Sequence, residues 1–116
     1  MSLKQIQEAL EIRYGGAAQV WSYSVSHQWL TIRLTKHGLA GNFHLLCGAC
    51  DRLEFDTAWL DSNLQVERSE AGFVVRDGAH LRVECGIVTG RYNVPPVFGI
   101  AGTTPSASEV AGEART

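Results

Sequence analysis

Short stretches in which apolar and polar residues alternate cover most of the chain between positions 18 and 89. An apolar side chain at every second position is typical of a β-strand with one buried face. The pattern predicts strands over residues 18–26, 28–36, 42–47, 52–56, 63–68, 72–76 and 80–89. The first hairpin is expected to turn near Ser26 and His27. Asp77-Gly78 predicts a two-residue hairpin turn.

The first residues predict a helix instead of a strand. Apolar side chains recur there at helical spacing, at Leu3, Ile6, Leu10 and Tyr14. Ser2 and Gln5 form a capping-box pattern at its start. Gly15-Gly16 provides the stop, because glycine accepts the left-handed conformation that ends a helix. This helix cannot bury its apolar side alone, so we expect it to lie across the sheet.

Together these elements predict an α+β fold that is mostly β. We expect the helix to pack on a curved antiparallel meander of six or seven strands, either barrel-like or cone-shaped. Residues 73–75 are apolar on both faces, which predicts that the helix, barrel closure or a second subunit covers part of the second face. Residues 1–100 are expected to form one domain, and residues 101–116, rich in Gly, Ser, Thr and Ala, a flexible tail.

Composition narrows the classes of partner. The chain has 116 residues, 19% of them charged, and a net charge of −2. No basic run suggests binding to nucleic acid or an anionic membrane. No apolar stretch is long enough to cross a bilayer, and Lys4, Glu8 and Glu11 interrupt any N-terminal signal pattern. We therefore expect a cytoplasmic protein. Its three cysteines are an odd number and are expected to be thiols.

Cys47-Gly48-Ala49-Cys50 is the one local motif with candidate chemistry. Its spacing resembles the dithiol motif of the thioredoxin family, and residues 94–97 lie roughly where that family carries its cis-proline. The resemblance implies thiol redox activity. The rest of the chain departs from the family, because residues 51–56 alternate as a strand and Leu46 replaces the usual tryptophan. We therefore favour a core position for Cys47, with Gly48 in a turn between two strands.

A zinc site is a second interpretation of the cysteines. Cys47, Cys50 and Cys85, with His44 or His80, would complete a tetrahedral set of ligands. Structural zinc usually has two close ligand pairs, and only one is present here. Cys85 shares its strand parity with Val83 and Ile87, so it is expected to face the core, whereas His44 is expected on the face opposite Cys47. We predict no metal and no cofactor.

Two further sets of side chains are candidates for function. His44, His80 and Asp51 could provide acid–base chemistry, because histidine titrates near neutrality and a carboxylate can orient it. Trp21, Tyr23 and Trp29 flank the first hairpin turn and could form a ligand floor or an interface. Trp21, Tyr23 and Val25 share one strand parity, so we expect them on one face.

The sequence leaves three functional hypotheses open. We favour a non-catalytic binding or protein-interaction module that self-associates, with a small-molecule ligand as a further possibility. The second hypothesis is a thiol-redox or zinc-binding protein that acts through Cys47 and Cys50. The third is a small enzyme with a pocket of about 300 Å³ or more inside the curved sheet.

Overall fold

The computed structural model describes residues 1–26 and 28–92, and every structural statement below concerns those residues. They form one helix, α1 (Leu3–Glu11), and seven strands. The strands are β1 (Ala17–Ser24), β2 (Trp29–Lys36), β3 (Leu39–Phe55), β4 (Ala58–Trp59), β5 (Gln65–Ser69), β6 (Gly72–Asp77) and β7 (Leu81–Tyr92). The predicted α+β, mostly β architecture is confirmed. The predictions for His27 and for residues 93–116 lie outside the described residues.

Helix α1 begins as its sequence predicts. The backbone N–H of Gln5 donates to Ser2 Oγ at 3.1 Å, and the backbone N–H of Ser2 donates to Gln5 Oε1 at 2.8 Å. These two bonds satisfy donors that a helix start otherwise leaves open. The helix packs against β5 and β7 and buries three apolar side chains there, Ile6, Ala9 and Leu10. No helix in the described part of the chain is long and apolar enough to span a membrane.

The seven strands form one antiparallel sheet in the order β4-β1-β2-β3-β7-β6-β5. The sheet is open, with β4 and β5 at its edges, and a barrel-like closure is not confirmed. Its topology differs from a single meander. Strand β4 pairs with Ala18 and Gln19 at one edge, and residues 60–64 then lead the chain to the opposite edge. Two short meanders are consequently joined through β3 and β7.

Strand β3 is longer than the sequence predicts. The two predicted strands, 42–47 and 52–56, are parts of one continuous strand, and Cys47-Gly48-Ala49-Cys50 is a bend within it rather than a turn. Ala49 has φ of 51°, in the left-handed region, and a register shift follows between Cys50 and Arg52. The prediction of a turn was wrong because the local glycine and cysteines do not reveal the long pairing of β3 with β7.

At this bend both strands change which side chains face the core. In β3 the buried series Phe43, Leu45, Cys47 continues with Cys50, and in β7 the buried series Leu81, Val83, Cys85 gives way to partly buried Val88. Ile87 therefore leaves the core side and is 48% exposed, which corrects the expectation that it shares the face of Cys85. We call residues 47–50 and 85–88 the paired bend.

The β6–β7 turn also differs from its prediction. Asp77 pairs with Leu81, so the loop has three residues, 78–80, rather than two. The buried Asp77 carboxylate occupies the start of this loop and accepts hydrogen bonds from Trp59 Nε1 at 2.7 Å and from the Asn63 backbone N–H at 2.8 Å. These bonds connect β4 and the 60–64 segment to the other half of the sheet, which explains why the loop departs from the tighter turn.

The sheet has two unequal faces. We call the side that packs on α1 the helix face, and the opposite side the open face. The helix face holds the apolar core. The apolar stretch 73–75 is divided between them, since Val75 is buried in the core while Val74 lies on the open face beside Glu67 and Glu84. Because α1 packs on the other side, the pairing of the strands determines the position of any binding surface on the open face.

Candidate functional site

The three cysteines come together in the core at the paired bend. Cys50 lies directly opposite Cys85 in the β3–β7 pairing, and the Cys50 thiol donates to the Cys47 carbonyl oxygen at 3.3 Å. The side chains of Cys47 and Cys85 are hydrogen-bonded to each other. All three are free thiols and are at most 4% exposed. The predicted inward position of Cys47 and Cys85 is therefore confirmed.

Their environment makes these thiols poor nucleophiles. The hydrogen bond to Cys85, together with burial, raises the pKa of Cys47 well above its ordinary value. Burial raises the pKa of Cys50 to about 11. The hydrogen bond from Cys47 lowers the pKa of Cys85, but that side chain is buried. A redox cysteine needs an accessible thiolate. Within residues 1–26 and 28–92, no group of three or more His, Cys, Asp or Glu residues could hold a metal ion.

His80 is the candidate base that has a carboxylate partner. Its Nδ1 lies 2.8 Å from Asp56 Oδ2, and its ring stacks on Trp59 with centroids 5.4 Å apart. Asp51 is exposed and is not part of this pair. The His80 and Asp56 side chains are 43% and 58% exposed, so the pair lies open to solvent. An exposed pair lacks the water-excluding surroundings that strengthen acid–base catalysis.

In the part of the chain that the structure describes, two grooves border helix α1. One, of about 200 Å³, lies between α1 and β5, and the other, of about 280 Å³, lies between α1 and Tyr92. Neither groove is lined by a histidine or a cysteine. The candidate catalytic groups and these grooves are thus in different parts of the molecule.

The first tryptophan lies on the open face, where its ring is beside that of His44 with centroids 5.8 Å apart. The register of β1 shifts between Val20 and Ser22, at a bulge that includes Trp21. The Arg33 guanidinium lies 4.6 Å from the Trp21 ring centroid, within cation–π distance. Tyr23 is opposite Leu30, a core residue, and is therefore on the helix side. The expectation that Trp21 and Tyr23 share a face was wrong, since a bulge reverses the alternation.

The second tryptophan occupies the same face. The Trp29 indole lies so close to Gly48 that a Cβ at that position would be 2.8 Å from two ring carbons. Gly48 is therefore needed for room rather than for a turn. Trp21 and Trp29 are both partly exposed. We call this region the aromatic half of the open face, and it comprises Trp21, Trp29, Thr31, Arg33, His44, Leu46, Ile87, Thr89 and Arg91.

His44 lies at the centre of a charged row in the aromatic half. It is the register partner of Arg33 on one side and of Arg91 on the other. Burial, followed by the positive charges of these two arginines, lowers the pKa of His44 to about 4. The imidazole is therefore neutral at physiological pH. Its Nε2 is buried and has no hydrogen-bond partner in the part of the chain described.

The rest of the open face is different in character. Among the described residues it has three exposed ion pairs, and we call this region the salt-bridged half. Its closest nitrogen–oxygen distances are 3.7 Å for Arg52–Glu54, 3.2 Å for Arg76–Glu67 and 3.6 Å for Arg82–Glu84. The paired bend lies between the two halves, and one of its residues, Ile87, belongs to the aromatic half.

The sequence-based reasoning missed six residues of the aromatic half, namely Thr31, Arg33, Leu46, Ile87, Thr89 and Arg91. The alternation around Leu30 and Ile32 does assign Arg33 to a polar strand face, but nothing local connects it to Arg91.

Comparison with protein-family models, curated proteins and solved structures finds no match for this chain.

Proposed function

We propose that this protein is a non-catalytic binding module that engages a partner macromolecule through the aromatic half of its open face. The observation that supports this most directly is the partial exposure of two tryptophans and Leu46, beside the exposed Ile87, on a surface that α1 does not cover. Tryptophan and arginine are enriched among the residues that dominate binding energy at protein interfaces. This part of the open face contains both.

Rigidity of the surface also favours binding. Trp21 is held between Arg33 and His44, and Trp29 is seated on Gly48. Aromatic side chains that are ordered before association lose less conformational entropy when a partner binds. Strands β2, β3 and β7, which carry most of this surface, are paired on both sides, whereas β1 at Trp21 is paired with β2 alone.

The alternatives have weaker support. The buried thiols lack the accessible, acidified sulfur that a redox site requires, and the His80–Asp56 pair lies open to solvent. Self-association remains one form of the proposal, with a second copy of the chain as the partner. Sedimentation velocity at micromolar concentrations decides between the forms, because a second copy would give a dimer or a larger species.

Site-specific photo-crosslinking tests the binding surface itself. A photoreactive phenylalanine analogue is placed at Ile87 in the aromatic half or, as the matched control, at Glu84 in the salt-bridged half of the same strand. We expect covalent adducts in cells from position 87 and few from position 84. Equal yields from the two positions, or none from either, would contradict the proposal.

A further inference from the structure

The charges of the open face are balanced in one half and unbalanced in the other. In the salt-bridged half, each of Arg52, Arg76 and Arg82 has a carboxylate oxygen within 3.7 Å. In the described structure neither Arg33 nor Arg91 has an ion-pair partner, and none of the nine residues of the aromatic half is acidic. The aromatic half therefore presents positive charge that the described protein does not neutralise.

These charges have a fixed spacing. Arg33, His44 and Arg91 are register partners on three adjacent strands, so they form a row across the sheet. Because neighbouring strands are about 4.8 Å apart, the backbones at Arg33 and Arg91 are separated by about 10 Å. Between them is the buried His44, whose Nε2 is unpartnered in the described structure. The row thus combines two guanidinium groups with a polar atom that lacks a hydrogen bond.

We propose that the Arg33–His44–Arg91 row binds carboxylate side chains of an acidic, extended segment of a partner protein. This inference rests on the proposed function and specifies the chemistry of the partner. Guanidinium groups bind carboxylates through paired hydrogen bonds, which fixes the orientation of the bound group. Arg33 is partly ordered for this task, since its guanidinium already lies over the Trp21 ring.

The spacing favours an extended segment that lies across the strands. In an extended chain, side chains at positions i and i+2 point the same way and are about 7 Å apart. Two long arginine side chains whose backbones are about 10 Å apart can reach two such carboxylates. The residues on either side of the carboxylates would then contact Trp21 or Trp29, which accounts for the aromatic surface next to the charged row.

Charge also disfavours nucleic acid as the occupant. A duplex or a single strand presents a phosphate at every nucleotide and is usually met by a longer basic track. Here the aromatic half has two arginines, and the chain as a whole has a net charge of −2. The salt-bridged half, whose arginines are already paired with glutamates, would not extend the row for a long polyanion.

The test uses the full chain and a synthetic decapeptide with glutamate at every second position and valine or threonine between. The matched control peptide has glutamine in place of each glutamate. Titrations are followed by nuclear magnetic resonance, with the ring signals of His44, Trp21 and Trp29 as the reporters. We expect the acidic peptide to shift these three signals and the glutamine peptide to leave them unchanged.

Alanine variants then test which arginines bind the acidic peptide. Arg33→Ala and Arg91→Ala should each lower the affinity for the acidic peptide by at least about tenfold. Arg82→Ala, which removes an equal charge from the salt-bridged half, should lower this affinity by less than about twofold. Arg91→Ala also guards against a folding defect, because Arg91 is exposed and its removal opens no buried space. Equal effects of Arg91→Ala and Arg82→Ala, or tight binding of the glutamine peptide, would overturn the inference.

Two further outcomes separate this inference from the proposed function. Position 87 could crosslink to a partner whose binding is unaffected by Arg33→Ala and Arg91→Ala. That result would support the binding surface and refute the carboxylate site. A dimer that dissociates when both arginines are replaced would identify a second copy of the chain as the source of the contact and refute a separate acidic partner. Absence of crosslinks would reject the proposed function itself.

Discussion

The two halves of the open face treat arginine differently. In the salt-bridged half, Arg52, Arg76 and Arg82 are each neutralised by a glutamate of the same sheet. In the aromatic half, Arg33 lies over an indole ring instead, and a buried neutral histidine separates it from Arg91. Because its charges are already paired, the salt-bridged half gains little electrostatic energy from a partner. The unpaired arginines of the aromatic half, beside partly exposed aromatic rings, gain more from an anionic partner.

This difference also affects how each half contributes to stability. Exposed ion pairs contribute little to folding, because water already solvates both charges well. The aromatic half holds a buried imidazole and indole rings in contact with other side chains, and their displacement has a larger cost. We therefore expect changes in the aromatic half to alter both binding and stability, and changes in the salt-bridged half to alter neither by much.

The largest expected effect is on the reactivity of the thiols at the paired bend. A reactive thiol there would indicate a functional site at the bend rather than in the aromatic half. Because the pKa of Cys50 is raised to about 11 and Cys47 and Cys85 are buried, native thiols should react about a hundredfold more slowly than unfolded ones at pH 8. Reaction with a chromogenic disulfide, in buffer and in urea, measures this. A thiol that reacts as fast in the native protein would revive the redox hypothesis.

The next effect is the pH dependence of His44. Its folded pKa of about 4 is below the ordinary value of 6.5, so the unfolded chain binds the proton more readily. The stability that depends on neutral His44 is complete above pH 6.5 and is lost as the pH falls toward 4. We expect a loss of about 2 kcal/mol between pH 7 and pH 5.

Urea unfolding of the wild type and of His44→Gln at several pH values isolates this contribution. Carboxylates titrate in both proteins, so the difference between the two curves belongs to His44. We expect the His44→Gln protein to lose about 2 kcal/mol less than the wild type over the same range. Parallel curves would show that His44 is protonated without penalty and would weaken the contrast between the halves.

Gly48→Ala tests the close packing of the Trp29 indole against Gly48. The added methyl would be 2.8 Å from the indole, so the ring must move, and we expect a loss of about 1 to 2 kcal/mol with a red shift in tryptophan fluorescence. Gly86→Ala is the matched control on the neighbouring strand, since its methyl meets Ala49 Cβ at 3.3 Å and no aromatic ring. Equal losses for the two variants would indicate a general effect of the bend.

The smallest effect is expected in the salt-bridged half. Arg76→Ala removes the guanidinium that donates to Glu67 at 3.2 and 3.3 Å, yet both side chains are exposed. We expect the free energy of unfolding to fall by less than about 0.5 kcal/mol. Chemical denaturation at low and high salt provides the measurement. A loss of more than about 1 kcal/mol would mean that this half also depends on its charges.

Much of the fold could be predicted from local pattern. The capping box at Ser2 and the alternation in Leu30, Ile32 and Leu34 are complete within a few neighbouring residues, so α1 and β2 were predicted from sequence. The left-handed Ala49 was not, because alanine has no local preference for that conformation. Its conformation follows from the pairing of β3 with β7, which alternation within one strand does not encode.

The candidate site was predicted only in part. Trp21 and Trp29 are candidates from the sequence, but the separation of Tyr23 from their face depends on the bulge between Val20 and Ser22, and a bulge leaves no distinctive residue type in this sequence. The charged row was missed for a similar reason. His44 and Arg91 are far apart in sequence, and they become neighbours only because β7 returns to the centre of the sheet.

The paired bend has a consequence for how this chain can change over evolutionary time. Both β3 and β7 exchange their inward and outward positions at the level of Ala49 and Gly86, and β3 then has one additional residue, Asp51, where the register shifts between Cys50 and Arg52. Loss of one residue at Ala49 or at Gly86 alone would bring polar side chains into the interior along the remaining length of that strand. These two positions can therefore change length only together, whereas Asp51 is a position at which β3 can change length alone.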